Sequence, residues 1–450
     1  MGHLVNEIMK GDAFLQDAYS KQIKSILENI IDEMSTHPEL FAKNPGKDFT
    51  RDRKISFNKL IHLLLGMRGN SINKELYDYF KNVDELMTSS AFVQQRNKLL
   101  GFAMEYLLHE FNSQCNDTKT YNNYHLYAID GSDINIVYNP YDEETYIKQG
   151  NLKGFNQLHL NALYDVMNKT YLDAYVQTAH KANEIDAACN LIDRVSFKDK
   201  SIIVADRGYG SLNLIQHMIN KDNLDFVIRA KHKNWIKEVE TLPMEELDTK
   251  ISFTIINDQT NASKKLCQKY KGTGKIKNLS NKRWDFVSPC FMTLRIVRFK
   301  ISEDTYETLV TSLDENEFPL SKMKELYHLR WGIETSFREL KYAIGLVNFH
   351  SKNVEYITQE IFARLIMYNF CERITNNIVI KQDNNRKWTY QVNYTMGIHI
   401  CIDYFRHHSN EPPPDVDNLI TKYILPIREG RQDKRKISFK SAVFFLYRVA

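Results

Sequence analysis

Apolar residues recur at helical spacing through the first quarter of the chain, at Ile23, Ile26, Leu27, Ile30 and Ile31, then over residues 60–65, 76–80 and 99–111. Steps of three and four put such side chains on one helical face, so residues 1–120 are expected to be helical. Short polar links separate the segments, GNS at 69–71 and TSS at 88–90, and the second is an N-cap cluster for the AFVQQRNKLL that follows. The texture changes at His125. LYAIDGSDINIVY, LHLNALYDVMN and YLDAYVQTA are β-type runs set off by turns, which predicts three consecutive strands in a meander. Next come a helical stretch over residues 183–195, a buried-type strand SIIVAD, a glycine-rich turn, a helix opening near Ser211 and a fifth strand in LDFVIRAK. Three strands, helix, strand, helix, strand is the order of a ribonuclease-H-like sheet. Residues 231–317 are strand-rich and irregular, with ISFTII, FMTLRIVRF and YETLVTSL as the clearest runs, and read as an insertion. Beyond 345 the pattern is helical again, most clearly over 354–378, with a break at Pro412-Pro413-Pro414. The expected architecture is α/β: a ribonuclease-H-like mixed sheet over 121–345 with a β-rich insertion at 231–317. It is flanked by an N-terminal helical region, 1–120, and a C-terminal one, 346–450.

Composition changes this picture little. An apolar fraction of 43% and a charged fraction of 26% in 450 residues are those of a globular protein with a sizeable core. No apolar run approaches the length of a membrane span, and AVFFLY near the end is far too short. MGHLVNEIMKGD lacks the basic and apolar blocks of a secretory signal, so a cytoplasmic protein with no membrane partner is expected. The six cysteines include no CxxC pair and are expected to be free thiols.

Charge adds more by its distribution than by its sum. Residues 261–300 hold eleven Lys and Arg against one acid, so against an overall +4 the rest of the chain carries −6. A second basic run spans 428–440. Either is compatible with a solvated loop; two together favour a polyanionic partner. Arg51, Arg53, Lys54, Lys59 and Arg68 give the N-terminal module a basic surface suited to docking against a DNA groove.

The candidate chemistry gathers in residues 321–345, SKMKELYHLRWGIETSFRELKYAIG, which read as one long helix. With Tyr327 at zero on a helical wheel, Arg330 falls near about 300°, Glu334 near about 340° and Lys341 near about 320°. Leu326, Leu329, Ile333, Phe337, Leu340 and Ile344 form an adjoining apolar stripe. Arg330 and Glu334 alone make an ordinary i,i+4 pair. Two distant aspartates change the weighting: Asp130 ends the apolar run of 126–129 and Asp206 ends that of 202–205, each before a glycine-containing turn. An acid in that place is also common turn chemistry. If the two strands lie side by side and parallel, however, both carboxylates emerge at one edge, where Glu334 on a packed helix would join them. Three converging carboxylates repel one another unless cations hold them, and hard oxygen donors suit Mg²⁺ or Mn²⁺. Two such ions about 4 Å apart serve in-line displacement at phosphorus, with Arg330 and Lys341 placed to bind flanking phosphates.

Tyr327-x2-Arg330-x3-Glu334-x6-Lys341, with Asp130 in DGS and Asp206 in DRGY, resembles the Tyr-Arg-Glu-Lys signature of bacterial insertion-sequence transposases of the DDE class. The three segments stand in that family's order over about residues 90–345. The resemblance implies cut-and-paste transposition: 3′-end nicking, attack by the freed 3′-hydroxyl on the opposite strand, often through a hairpin, and strand transfer to target DNA. It implies metal binding by Asp130, Asp206 and Glu334, and phosphate contacts by Tyr327, Arg330 and Lys341. It also implies a homodimer acting on two paired transposon ends. The family uses an aromatic of the insertion to stack on a flipped base, for which Trp235 and Trp284 are candidates, and Trp331 adjoins the signature. Two other readings stay open: a transposase-derived DNA-binding protein that no longer cuts, and a structure-specific nuclease on the same fold.

Overall fold

The computed structural model describes residues 2–428 except 52, 81–83, 85, 149, 151–152, 232–234, 259, 272–274, 280–282, 304, 383–384, 386 and 408–413, with backbone alone for 2–17. The prolines at 412–413 and the basic run beyond Arg428 lie outside the described residues.

The N-terminal part is helical: α1 (Gly2–Thr36), α2 (Phe57–Gly66), α3 (Ile72–Phe80), α4 (Ser89–Arg96) and α5 (Ala103–Gln114). Thr88 opens α4 as its N-cap, its side chain accepting from the Ala91 amide, as the polar cluster predicts. The periodic apolar residues Ile23, Leu27, Ile30 and Ile31 are buried.

The central sheet begins with the meander β1 (His125–Ile136), β2 (Tyr146–Ile147), β3 (Phe155–Asp165) and β4 (Thr170–Thr178). Then follow α6 (Glu184–Arg194), β5 (Ser201–Ala205), α7 (Leu212–Ile219) and β6 (Leu224–Arg229). β3 runs antiparallel to β1 and β4, whereas β5 lies parallel beside β1 and β6 parallel beside β5. The spatial order β4-β3-β1-β5-β6 is ribonuclease-H-like, as expected. Residues after β6 form α8 (Lys237–Glu240), β7 (Leu247–Ile256), α9 (Asn261–Lys269), β8 (Ile276–Asn278), β9 (Cys290–Ser302) and β10 (Thr305–Thr311). Their strands continue the same sheet, since β10 pairs antiparallel with β6 and carries β9, β7 and β8 beyond it. Part of the basic window is spent inside this extension. Arg295 is buried on Asp248 and the carbonyls of Leu313 and Phe318, and Arg298 on Thr308 and the carbonyls of Leu242 and Pro243. Lys264, Lys265, Lys269, Lys271 and Lys275 remain exposed.

The single helix expected over 321–345 is two helices, α10 (Leu320–His328) and α11 (Trp331–Tyr342). At the junction the amides of Leu329, Arg330, Gly332 and Ile333 bond three residues back, to Leu326, Tyr327, Leu329 and Arg330, a tight 3₁₀-type turn. Gly332 belongs to this join: a Cβ there would lie 3.3 Å from Val166 Cγ1 and 3.9 Å from Tyr164 Cε1, so its small size lets the start of α11 approach the end of β3.

The last part comprises α12 (Val354–Thr375), β11 (Tyr390–Val392), α13 (Tyr394–Arg406), α14 (Val416–Lys422) and β12 (Ile424–Pro426), with β11 and β12 paired. α12 is buried on all sides from Gln359 to Thr375, as a helix inside a core must be. One apolar cluster runs from α1, α2 and α5 through α12 and α13 to one face of the sheet, and a second lies between the other face and α6 and α7. All six cysteines are free, as expected. Among the described residues no helix is long and apolar enough to cross a membrane.

Candidate active site

The parallel register of β1 and β5 pairs Ile129 with Ala205, so Asp130 and Asp206 follow at the same level on neighbouring strands. Their settings differ from expectation in one respect. Asp206 does open a turn, its side chain accepting from the Gly208 amide at 2.6 Å and capping the 3₁₀ turn Arg207–Tyr209. Asp130 does not end its strand: β1 continues through Gly131, which pairs with Asn161, to Ile136. Gly131 is needed for close approach instead, because a Cβ there would sit 2.4 Å from His159 Nε2 and 2.9 Å from Glu184 Oε1.

Asp130 accepts from the Gly131 amide at 2.9 Å. Burial pushes its carboxyl up to about 6; the charges of Asp206 and Glu334 add to this, and the Gly131 amide and Arg330 oppose it. Glu334 stands in the first turn of α11, which packs on β1. Arg330 joins the two acids from the α10–α11 junction, with Nη1 4.0 Å from Asp130 Oδ2 and Nη2 2.9 Å from Glu334 Oε1. Its guanidinium is buried between the rings of Tyr327, at 5.6 Å, and Trp331, at 5.0 Å. Lys341 Nζ donates to Ser132 Oγ at 2.7 Å and to the Asp133 carbonyl at 2.8 Å, tying the far end of α11 to the strand of Asp130.

The structure thus brings Asp130, Asp206, Glu334, Arg330 and Lys341 around one sheet edge. By its chemistry the donor set suits a hard divalent cation: three carboxylates on three elements, oxygen donors only, with Asp130 raised first by burial and then by the charges of Asp206 and Glu334. Tyr327 is placed differently from a phosphate ligand, being 5% exposed with its hydroxyl buried, so it supports Arg330 from below. Among the aromatics Trp331 is 53% exposed beside Arg330. Trp284 is not brought to the surface: it is 2% exposed in the core against Phe286, with its faces covered. Trp235 is half-buried and donates its indole N–H to the Gly210 carbonyl, bracing the turn after Asp206.

Three neighbours had no assignment from sequence. His159 lies opposite Asp133, with Nδ1 2.8 Å from Asp133 Oδ1 and Nε2 3.2 Å from Glu184 Oε1. Burial lowers the His159 pKa, but the two carboxylates outweigh this and hold it at about 9. Tyr209 of the DRGY run is 1% exposed, and its buried hydroxyl has no hydrogen-bond partner among the described residues. Glu184 opens α6 behind the Asn183 N-cap, whose side chain accepts from the Ile185 and Asp186 amides, and nothing local in the sequence shows which way that helix faces. A separate cluster of Glu105, His109 and Asp173 has ligand-like spacing. It is neutralised by Arg194, which grips Asp173 with Nε and Nη2 and reaches Glu105 at 2.8 Å, so it reads as an ion-pair network.

Comparison with known proteins places the chain in a family. The family described as "Transposase DDE domain" matches residues 122–370, more than half of the chain. The transposase InsG for insertion sequence element IS4 of Escherichia coli K12 is 21% identical over 359 residues, covering 74% of this chain and 73% of that protein. A solved piggyBac transposase synaptic complex with hairpin DNA is similar at a TM-score of 0.41 and 11% identity, covering 94% of this chain and 87% of that one. With the DDE-domain match spanning both aspartates and Glu334, the chain belongs to the DDE transposase family.

Proposed function

We propose that the protein is a cut-and-paste DNA transposase of an insertion sequence, acting by metal-dependent phosphoryl transfer: 3′-end nicking, a hairpin step and strand transfer. The observation that carries this is the parallel register of β1 and β5, which puts Asp130 and Asp206 one residue beyond the paired Ile129 and Ala205, with Glu334 joined to Asp130 through Arg330. Asp130, Asp206 and Glu334 would hold two Mg²⁺ or Mn²⁺ ions. When bound, such ions activate an attacking water or 3′-hydroxyl and stabilise the leaving oxygen.

The remaining work falls to side chains. Arg330, shared between two carboxylates, can turn its planar fork to a phosphate flanking the scissile bond once those carboxylates are neutralised. Lys341 offers a second phosphate contact at the other end of α11, and the exposed ring of Trp331 a stacking surface for an unpaired base. Away from the chemistry, Lys47, Arg51, Arg53 and Lys98 line a cleft of about 600 Å³ around Phe49 in the N-terminal helical region, cations that would contact backbone phosphates of DNA passing over it. The partners are the inverted-repeat ends and target DNA, engaged by a homodimer in a paired-end complex.

The test is incubation of the protein with DNA carrying the element's ends, a target plasmid and Mg²⁺. Joined product is expected. Cleavage without joining would leave a nuclease, and binding without cleavage a silent DNA-binding protein. Asp130→Asn, Asp206→Asn and Glu334→Gln should each abolish cleavage while end binding persists; a variant that cuts near the parent rate would remove that residue from the site.

A further inference from the structure

Glu184 has no place in the three-acid scheme, yet its carboxylate stands within it. A Cβ on Gly131 would lie 2.9 Å from Glu184 Oε1; one on Gly208 would lie 3.6 Å from Glu184 Oε2 and 2.9 Å from Asp206 Oδ1. One side chain from the start of α6 therefore spans the gap between the strand of Asp130 and the turn of Asp206. Its Oε1 is met by His159, which is itself anchored on Asp133. Its Oε2 faces the Asp206 side, so that two acidic side chains border one gap at Gly208, and hard oxygen donors so placed suit a divalent cation.

A second observation points the same way. Tyr209, three residues after Asp206, is 1% exposed, its hydroxyl has no hydrogen-bond partner among the described residues, and the charges that act on it are those of Asp130, Glu184, Asp206 and Arg330. A buried phenol aimed into an acidic pocket matches a pocket built for a hydrated ligand, since buried polar groups are almost always hydrogen-bonded.

We propose that Glu184 is a fourth carboxylate of the centre, a ligand to the divalent cation on the Asp206 side, with His159 as the positioning residue that fixes its orientation. This rests on the metal-dependent reading above. A metal-bound carboxylate is itself held by hydrogen-bond partners outside the ligand set, and losing such a partner costs about 10–100-fold in metal affinity.

The test is a Mn²⁺ titration of the full chain without DNA, followed by loss of the free Mn²⁺ paramagnetic resonance signal, with thermal melts confirming that each variant folds. Glu184→Gln should lose one Mn²⁺ or weaken it at least about tenfold. Asp186→Asn, which removes a charge from the exposed side of the same helical turn, should stay within about twofold of the parent. An isotherm for Glu184→Gln that superimposes on the parent overturns the proposal, and so does equal weakening by Asp186→Asn, because charge alone would then account for the effect. Asp206→Asn separates the levels: if it weakens Mn²⁺ while Glu184→Gln does not, only the fourth ligand falls. If neither responds, or the parent binds no Mn²⁺, the three-acid metal centre falls with it.

Discussion

Gly131 shows how little freedom the site leaves a single residue. An added methyl group would meet His159 Nε2 at 2.4 Å, and moving His159 aside would disturb the 2.8 Å bond of its Nδ1 to Asp133 and the 3.2 Å ion-pair contact of its Nε2 with Glu184. Gly131→Ala must therefore move either the histidine pair or the strand, overpacking that costs about 1–3 kcal/mol. It would also displace Asp130 next door, and a misplacement of about 1 Å can cost about 10²-fold in rate. Parallel cleavage rates and urea midpoints check this; parent-like values in both would mean that the neighbours yield. Lys341, which donates to Ser132 Oγ and the Asp133 carbonyl, makes a second kind of test. Lys341→Ala should weaken DNA binding across all sequences and flatten the log K against log salt slope by about 0.9. An unchanged slope would exclude a phosphate contact. The acids and the signature lysine were legible because each sits in a short local motif. Glu184 and His159 were not, because the sheet brings them in from α6 and β3, and Tyr209, though inside the DRGY run, shows its burial only once the turn after β5 is folded.

At the scale of elements, the apolar stripe over 321–345 was read as one continuous helix because periodicity is blind to a single tightened turn. The tightened turn keeps Arg330 beside both Tyr327 and Glu334, so the quartet survives the error while its geometry changes. The strands after β6 were legible as strands; their joining the main sheet was not, since pairing is a long-range property. The same limit hid the bond between α4 and α12. Arg96 is 1% exposed and donates to Gln359 Oε1 at 3.0 Å, to Glu360 Oε1 at 2.7 Å and to the Tyr356 carbonyl. Arg96→Ala would take from Glu360, also 1% exposed, its bonded guanidinium, leaving the 3.0 Å contact with His350 and the more distant charge of Arg364. Removing one partner of a buried pair costs about 3–5 kcal/mol. Urea denaturation should show a loss of that size, and a loss below about 1 kcal/mol would mean that Glu360 finds another partner or takes up a proton.

For the whole molecule, the continuous apolar cluster means that the flanking helical regions and the sheet share burial, and with it buried carboxyls whose protonation sets the response to pH. Glu372 in α12 is pushed up to about 7 by burial, against the pull of Lys169 and Tyr394, and Asp165 at the end of β3 up to about 6 by burial, against the Asn168 amide. Unfolded, such groups titrate near about 4 to 4.5. Each is raised in the folded state, so its buried charge opposes folding above the folded value, and stability rises as pH falls from about 7 towards 4.5. Glu360 acts in the other sense: burial raises its pKa, but Arg96 and His350 prevail and hold it at about 2. Its contribution is present above about 4.5 and is lost as pH falls towards 2. With one pKa unit worth about 1.4 kcal/mol, both slopes are large enough to move a melting temperature by several degrees. Thermal melts in chelator, which keep metal linkage out of the curve, should therefore peak between about pH 4.5 and 6, decline gently towards pH 8 and collapse below pH 4. A curve flat from pH 8 to 5 would show that Glu372 and Asp165 do not carry buried charge at neutral pH. Stability at pH 3 equal to that at pH 5 would show that the Arg96–Glu360–His350 junction does not hold α4, α12 and the segment before α12 together.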